Sequence, residues 1–186
     1  MDKHTFTTDT PVTRPVTHIK WRLLNTPHNA SYGATLGIID AACKEWNRTL
    51  RQHIHLSPGV GGYQLDFEFR PNVVSTYAKA VQPVKHIVYQ DIRTRHIAFD
   101  TANTKWAIKG WRSLFRVGED MHSATLHHIG VALGLPDTPN KSTWIMCPTY
   151  GRIRQLTTEE IVEYNIYFSK TYSKEAAFYK KYTSQH

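Results

Sequence analysis

Two adjacent histidines and an aspartate in the stretch LHHIGVALGLPD have side chains that can bind a divalent metal ion. His127, His128 and Asp137 carry imidazole and carboxylate groups, both of which bind zinc in proteins. The same stretch is rich in apolar residues and ends in Gly-Leu-Pro, which is typical of a helix end. We therefore predict a helix over roughly residues 119–135 that carries the candidate ligands.

The spacing of these residues limits how many of them can share one ion. Two ligands four residues apart lie on one helix face, but the residue four positions after His127 is Val131, which cannot bind a metal. His128 is displaced by about 100° around the helix from His127, so the two imidazoles meet one ion only if the helix distorts. The stretch thus supplies fewer ligands than the three of a catalytic zinc site.

The composition indicates one globular domain with a basic surface. The chain has 186 residues, of which 40% are hydrophobic, and a formal net charge of +8. This charge favours acidic partners, such as nucleic acid, an anionic surface or an acidic protein. We find no apolar run of the ~20 residues that a membrane span needs and no signal peptide. We expect a protein of the cytoplasm or of a particle, with its two cysteines reduced and packed.

Hydrophobic periodicity predicts an α+β domain. Period-two alternation predicts strands at THIKWRLL, HIHL, YQLDFEF, KHIVYQ and RHIAFD, and helical spacing predicts a helix at ATLGIIDAACKEWNRTL. Thr157 and Glu160 have capping-box spacing before a last helix. We divide the chain into an arm (residues 1–16), the domain (17–170) and a basic tail (171–186).

The stretch SATLHHIGVALGLPD resembles the active-site helix of the metzincin zinc proteases, in particular of the matrixins, whose pattern is HExxHxxGxxH. IMCPTY resembles the Met-turn of that family, and LTTEEIVEYNIYF resembles its closing helix. The first strand, the first helix and the next strands also follow the family's order. The resemblance covers about residues 17–170 and implies a single domain with a twisted, mostly parallel sheet, an active-site-type helix, a Met-turn and a C-terminal helix.

The resemblance also implies that the catalytic positions are degenerate. It places the first zinc ligand at His127, the general base at His128, the second ligand at Val131 and the third at Asp137. In the family a glutamate at the base position takes a proton from zinc-bound water, and loss of a positioned base costs about 10²- to 10⁴-fold in rate. Asp137 and His127 remain as candidate ligands, and zinc is the expected metal if one binds.

The positions that match the family are those that build its fold, whereas those that differ serve its chemistry. The matching structural positions are Gly130, Ala132, Leu133, Gly134, Leu135, Pro136, Met146, Pro148 and Tyr150. This distribution is expected of a scaffold that is kept for its shape.

A second, weaker metal candidate lies in the segment where matrixins hold a structural zinc. It comprises His86, Asp91 and His96. The alternative is that these histidines are surface residues or hydrogen-bonded strand residues.

Three functions are compatible with these residues. The first is a non-catalytic matrixin-like module, without a cofactor, that binds a protein partner or builds an assembly such as a virion or another multi-subunit particle. The second is an active zinc metallopeptidase that uses His127 and Asp137, with or without His128. The third is nucleic-acid binding through phosphate contacts and aromatic stacking, with the candidate residues Arg93, Arg95, Lys105, Lys109, Arg112, Trp106 and Trp111.

Overall fold

The structure is a computed structural model that describes residues 16–71, 94–102, 104–107, 119–141, 143–147 and 155–183; for residues 94–95, 119 and 172–183 the description covers the backbone. Within these ranges lie a four-stranded sheet, a two-stranded sheet and three helices. The strands are Thr17–Leu23 (β1), Ile54–Pro58 (β2), Tyr63–Arg70 (β3), Thr94–Asp100 (β4), Trp106–Ala107 (β5) and Glu119–Asp120 (β6). The helices are Tyr32–Thr49 (α1), Met121–Ala132 (α2) and Thr158–Thr183 (α3).

All pairings of the four-stranded sheet are parallel, in agreement with the mostly parallel sheet that the resemblance implies. The strand order is β2-β1-β3-β4, and the register places Trp21 beside Leu65 and Phe67 beside Ile97. These four side chains are buried. Parallel neighbours need long crossover connections, and α1 supplies the connection between β1 and β2. The mixed architecture agrees with the predicted fold class.

The helix α1 carries the predicted apolar stripe. Ser31 caps its start, because the Ser31 hydroxyl accepts a hydrogen bond of 3.2 Å from the Ala34 backbone N–H. Ile39, Cys43 and Trp46 are fully buried on the inner face of the helix. The stripe therefore directs α1 onto the core that it shares with α2.

The helix α2 begins two residues later and ends three residues earlier than predicted. Glu119 and Asp120 form β6, which pairs with β5, and the Asp120 carboxylate caps α2 through the backbone N–H of Ser123 at 3.0 Å. At the other end, Gly134 has φ +82°, a conformation that favours glycine. The N–H of Leu135 bonds the Gly130 carbonyl, which gives the helix a Schellman-type end before Pro136.

The helix α3 begins with the predicted capping box. Thr157 Oγ1 accepts from the Glu160 N–H at 3.2 Å, and Glu160 Oε2 accepts from the Thr157 N–H at 2.8 Å. The helix continues through residue 170 to Thr183, so the boundary that we drew between domain and tail falls inside it.

The remaining predictions about the body of the chain have mixed outcomes. Both cysteines, Cys43 and Cys147, are buried and are not joined in a disulfide, as expected. The predicted strand KHIVYQ and nearly all of the predicted arm lie outside the described residues. Among the described helices, none combines the length and the apolar character that crossing a membrane requires.

Candidate functional site

The first candidate ligand, His127, is a buried side chain whose orientation is fixed by a backbone carbonyl. It lies on α2, and its Nδ1 is 2.7 Å from the carbonyl oxygen of Ile145. Since a carbonyl only accepts, Nδ1 carries the proton and donates it. Burial lowers the pKa of His127, against the raising effects of the Ile145 bond and the Asp137 charge. The neutral ring therefore presents an unprotonated Nε2.

Glu160 binds the other backbone group of Ile145, its N–H. Its Oε1 accepts a hydrogen bond of 2.6 Å from the Ile145 N–H, and the Tyr164 hydroxyl donates to the same oxygen at 3.3 Å. The carboxylate is fully buried, and its second oxygen serves the capping box at Thr157. One side chain thus joins the start of α3 to the loop that positions His127.

Gly130 of α2 lies directly against the side chain of Met146. A Cβ at Gly130 would lie 2.5 Å from Met146 Sδ and 2.9 Å from Trp46 Cζ2. Trp46 also donates from Nε1 to the Leu126 carbonyl at 3.0 Å. Gly130 is therefore needed for close packing, because any side chain would collide with a fixed indole ring.

Val131 occupies the position at which the resemblance would require a second ligand. Its side chain is partly buried and packs against the hydrophobic core. An aliphatic side chain offers no lone pair, so the pair of ligands at i and i+4 that reaches one ion from a helix face does not exist. This position serves packing.

His128, at the general-base position, lies in an apolar pocket. It is 6% exposed, and neither ring nitrogen has a hydrogen-bond partner among the described residues. Phe99 packs edge-to-face against it at 6.5 Å, and the ring centre of His127 is 5.0 Å away. Burial, followed by the charge of His127, lowers the pKa of His128 well below its usual range. The ring is therefore neutral, and burial keeps it away from solvent water.

Asp137, at the third ligand position, follows the end of α2 and is exposed. Its charge opposes the lowering of the His127 pKa that burial causes. The described residues then offer His127 and Asp137 to an ion, and no group of three His, Cys, Asp or Glu side chains among them is arranged to hold a metal. This set does not fit a catalytic zinc site with three protein ligands.

The structure describes only one residue of the second metal candidate, His96. His96 lies on β4 with Nε2 2.9 Å from the Glu68 carboxylate on β3. Its proposed companions His86 and Asp91 lie outside the described residues, as do Pro148 and Tyr150 of the predicted Met-turn. The structural-metal prediction therefore stays a prediction.

The nucleic-acid candidates are only partly described. Trp106 is 3% exposed, and its Nε1 donates to the Asp100 carbonyl at 2.7 Å. A buried, hydrogen-bonded indole cannot stack on a base, so Trp106 is a core residue. Lys105 is exposed, whereas the Arg95 side chain and the residues Arg93, Lys109, Trp111 and Arg112 fall outside the description.

Sequence reasoning missed three residues that organise this site: Trp46, Ile145 and Tyr167. Trp46 was visible only as part of an apolar stripe, and Ile145 acts through its backbone, which leaves no trace in residue type. Tyr167 of α3 donates its hydroxyl proton to the Gly134 carbonyl at 3.0 Å, which holds the end of α2 in place.

Comparison with known proteins does not assign the chain to a family. No protein-family model matches the chain, and no curated protein matches it by sequence. The likeness to the matrixins thus depends on the residues quoted above.

Proposed function

We propose that this protein is a non-catalytic, matrixin-like module that binds a protein partner or builds a larger assembly. The observation that carries the proposal is the packing of Val131 against the hydrophobic core. At the position where a catalytic helix needs its second ligand, the side chain packs against the core. On the same helix, His127 has its ring held by the Ile145 carbonyl.

The residues around the site support a scaffold function. The contacts among Gly130, Met146 and Trp46 are tight, and Glu160 connects α3 to the loop beneath His127. His128 is enclosed beside Phe99, where it can exchange no proton with a water molecule in a cleft. These contacts keep the shape of the domain while the groups for hydrolysis are replaced.

The charge of the chain indicates the kind of neighbour. A net charge of +8 attracts acidic surfaces and accelerates association with them. We therefore propose that the neighbours in the assembly are proteins with acidic faces. Binding would then weaken with increasing salt concentration, because exposed charges are screened.

An atypical zinc peptidase is the second candidate, and one observation favours it. Metal-binding histidines commonly donate their other ring N–H to a carbonyl, which fixes the tautomer, and His127 does this with Ile145. In that case Asp137 would be the second ligand.

The test is metal analysis of protein purified without a metal-affinity tag, combined with a peptidase assay in the presence and absence of a chelator. We expect no zinc that depends on His127 and no chelator-sensitive cleavage of a peptide library. The variants are His127→Ala and, as a matched control at an exposed histidine, His28→Ala. One zinc per chain that His127→Ala loses and His28→Ala keeps, together with chelator-sensitive cleavage, would overturn the proposal in favour of the peptidase.

A gain-of-function variant tests the resemblance itself. In Val131→His, the new imidazole would lie on the helix face of His127, four residues away. We expect this variant to take up zinc, and we expect His127→Ala in the same background to abolish the uptake. If Val131→His binds no more zinc than the unmodified chain, the resemblance to a zinc-protease helix loses its main support.

A further inference from the structure

We propose that His18 and His55 form a binding site for a divalent late transition-metal ion, such as Cu²⁺, Ni²⁺ or Zn²⁺. The site lies on the face of the four-stranded sheet opposite the core. It is separate from α2, and the proposal does not depend on the proposed function.

The register of two neighbouring strands brings the two histidines together. β1 and β2 pair in parallel, and His18 is directly opposite His55. Both side chains are exposed, whereas the flanking Ile19, Ile54 and Leu56 point into the core. The alternation of a strand therefore places both imidazoles on the same solvent-facing side.

The separation of the rings suits a shared ion. Their centres are 5.5 Å apart and their planes are inclined by 65°. Because an imidazole nitrogen binds zinc at about 2.0–2.1 Å, a shared ion lies about 3 Å from each ring centre, so the centres can be up to about 6 Å apart. Exposed rings can turn about their terminal torsions, which are broad, so that one nitrogen of each faces the ion.

The surroundings leave this position accessible. The Lys20 ammonium, the nearest cation along β1, donates to Ser57 Oγ at 3.0 Å. Its side chain extends towards Gly59, so its charge is directed away from the histidines. Because both imidazoles are exposed, water molecules can complete the coordination of an ion that they hold.

The pair of His127 and His128 differs from the His18–His55 pair because it is buried. Their ring centres are 5.0 Å apart, but His127 Nδ1 is used by Ile145 and both rings are buried. An ion there would have neither freely turning rings nor water ligands. Exposure distinguishes the His18–His55 pair.

The chemistry of imidazole sets the expected selectivity. Nitrogen ligands bind Cu²⁺ more tightly than Ni²⁺ or Zn²⁺, whereas Mg²⁺ prefers oxygen ligands. Binding requires neutral imidazoles and is therefore weaker at acidic pH. The ion would also connect the edge strand β2 to β1, so that metal binding stabilises the folded chain.

The experiment is calorimetric titration of the full chain, without an affinity tag, with CuCl₂, ZnCl₂ and MgCl₂ at neutral pH. The variants are His18→Gln and His55→Gln, and the control is His28→Ala, which removes an exposed histidine with no such neighbour among the described residues. We expect one Cu²⁺ per chain at this site and weaker Zn²⁺ binding. Loss of a residue that supports a metal ligand costs roughly 10- to 100-fold in metal affinity. Each Gln variant loses a ligand itself, so its affinity for Cu²⁺ should fall by at least this factor.

Electron paramagnetic resonance of the copper complex gives a second readout. We expect hyperfine coupling to two imidazole nitrogens in the unmodified chain and in His28→Ala, and to one in each Gln variant. The proposal is overturned if the chain binds no Cu²⁺ at millimolar concentration, or if either Gln variant binds as tightly as the unmodified chain. It is also overturned if only one of the two substitutions weakens binding, because the site would then lie elsewhere. His127→Ala leaves the His18–His55 pair intact. Failure of the metal-site proposal can therefore be distinguished from failure of the proposed function.

Discussion

His127 on α2 donates a hydrogen bond of 2.7 Å to the carbonyl of Ile145, eighteen residues further along the chain. The backbone N–H of the same residue, Ile145, donates to the buried carboxylate of Glu160 on α3. Through its two backbone groups, Ile145 therefore connects the helix that carries the candidate ligands with the closing helix.

The tautomer of His127 is the first prediction. Because the Ile145 carbonyl can only accept, we expect the proton on Nδ1 and an unprotonated Nε2 at pH 7.5. The ¹⁵N chemical shifts of the imidazole ring, with His127→Gln to assign the signals, measure this directly. A signal pattern with the proton on Nε2 would contradict the described hydrogen bond.

Substitution of Gly130 tests the close packing over Met146. Alanine at this position would place its Cβ 2.9 Å from Trp46 Cζ2. Overpacking costs typically about 1–3 kcal/mol, against a gain of up to about 1 kcal/mol in helix propensity. We expect Gly130→Ala to lower the free energy of unfolding by about 1–2 kcal/mol in urea denaturation.

The matched control for Gly130 is Gly37 in α1. A Cβ there would meet no atom within 4 Å, so Gly37→Ala should raise the free energy of unfolding by up to about 1 kcal/mol. In a Met146→Ala background, the cost of Gly130→Ala should decrease, because the contact at 2.5 Å is gone. Equal effects of the two glycine substitutions would refute the packing interpretation.

Glu160 offers a test of the connection between α3 and the His127 loop. In Glu160→Gln, the amide places an NH₂ group where a carboxylate oxygen accepts from Ile145 or Thr157. Hydrogen bonds to charged groups contribute about 1.5–3 kcal/mol, and we expect a loss of this size in the free energy of unfolding. The neighbouring exposed Glu159 is the control, since Glu159→Gln should change stability by no more than about 0.5 kcal/mol.

The buried histidines predict an acid-sensitive fold. Burial lowers the pKa values of His127 and His128 in the folded chain. In the unfolded chain the same histidines bind protons near their ordinary pKa of 6.5. The stability that the neutral, buried rings contribute is therefore fully present above this pH and decreases as the pH falls below it. Each histidine contributes a slope of up to about 1.4 kcal/mol per pH unit. Urea denaturation between pH 8 and pH 5 measures the slope.

His128→Phe separates the contribution of His128 from that of other groups. Phenylalanine retains an aromatic contact with Phe99 and has no group that binds a proton. We expect the slope below pH 6.5 to decrease by up to about 1.4 kcal/mol per pH unit. An unchanged slope would show that His128 does not titrate in the way that its burial implies.

Much of the fold follows from local sequence patterns. The alternation of Ile19, Trp21 and Leu23 predicts β1, and the capping pair Thr157 and Glu160 marks the start of α3. The end of α2 also has a local cause, because Gly134 adopts a positive φ before Pro136. Such signals depend on residues close in sequence, which is why they can be read without a structure.

Only part of the candidate site could be predicted from the sequence. The sequence determines that Val131 cannot bind a metal and that His127 can, because these are properties of the side chains themselves. Tertiary structure alone decides that His128 is enclosed by Phe99, that Glu160 reaches Ile145, and that His18 stands opposite His55. Burial, strand register and backbone hydrogen bonds arise between segments far apart in the chain. No local pattern of residue types encodes them, since they depend on how the whole core packs.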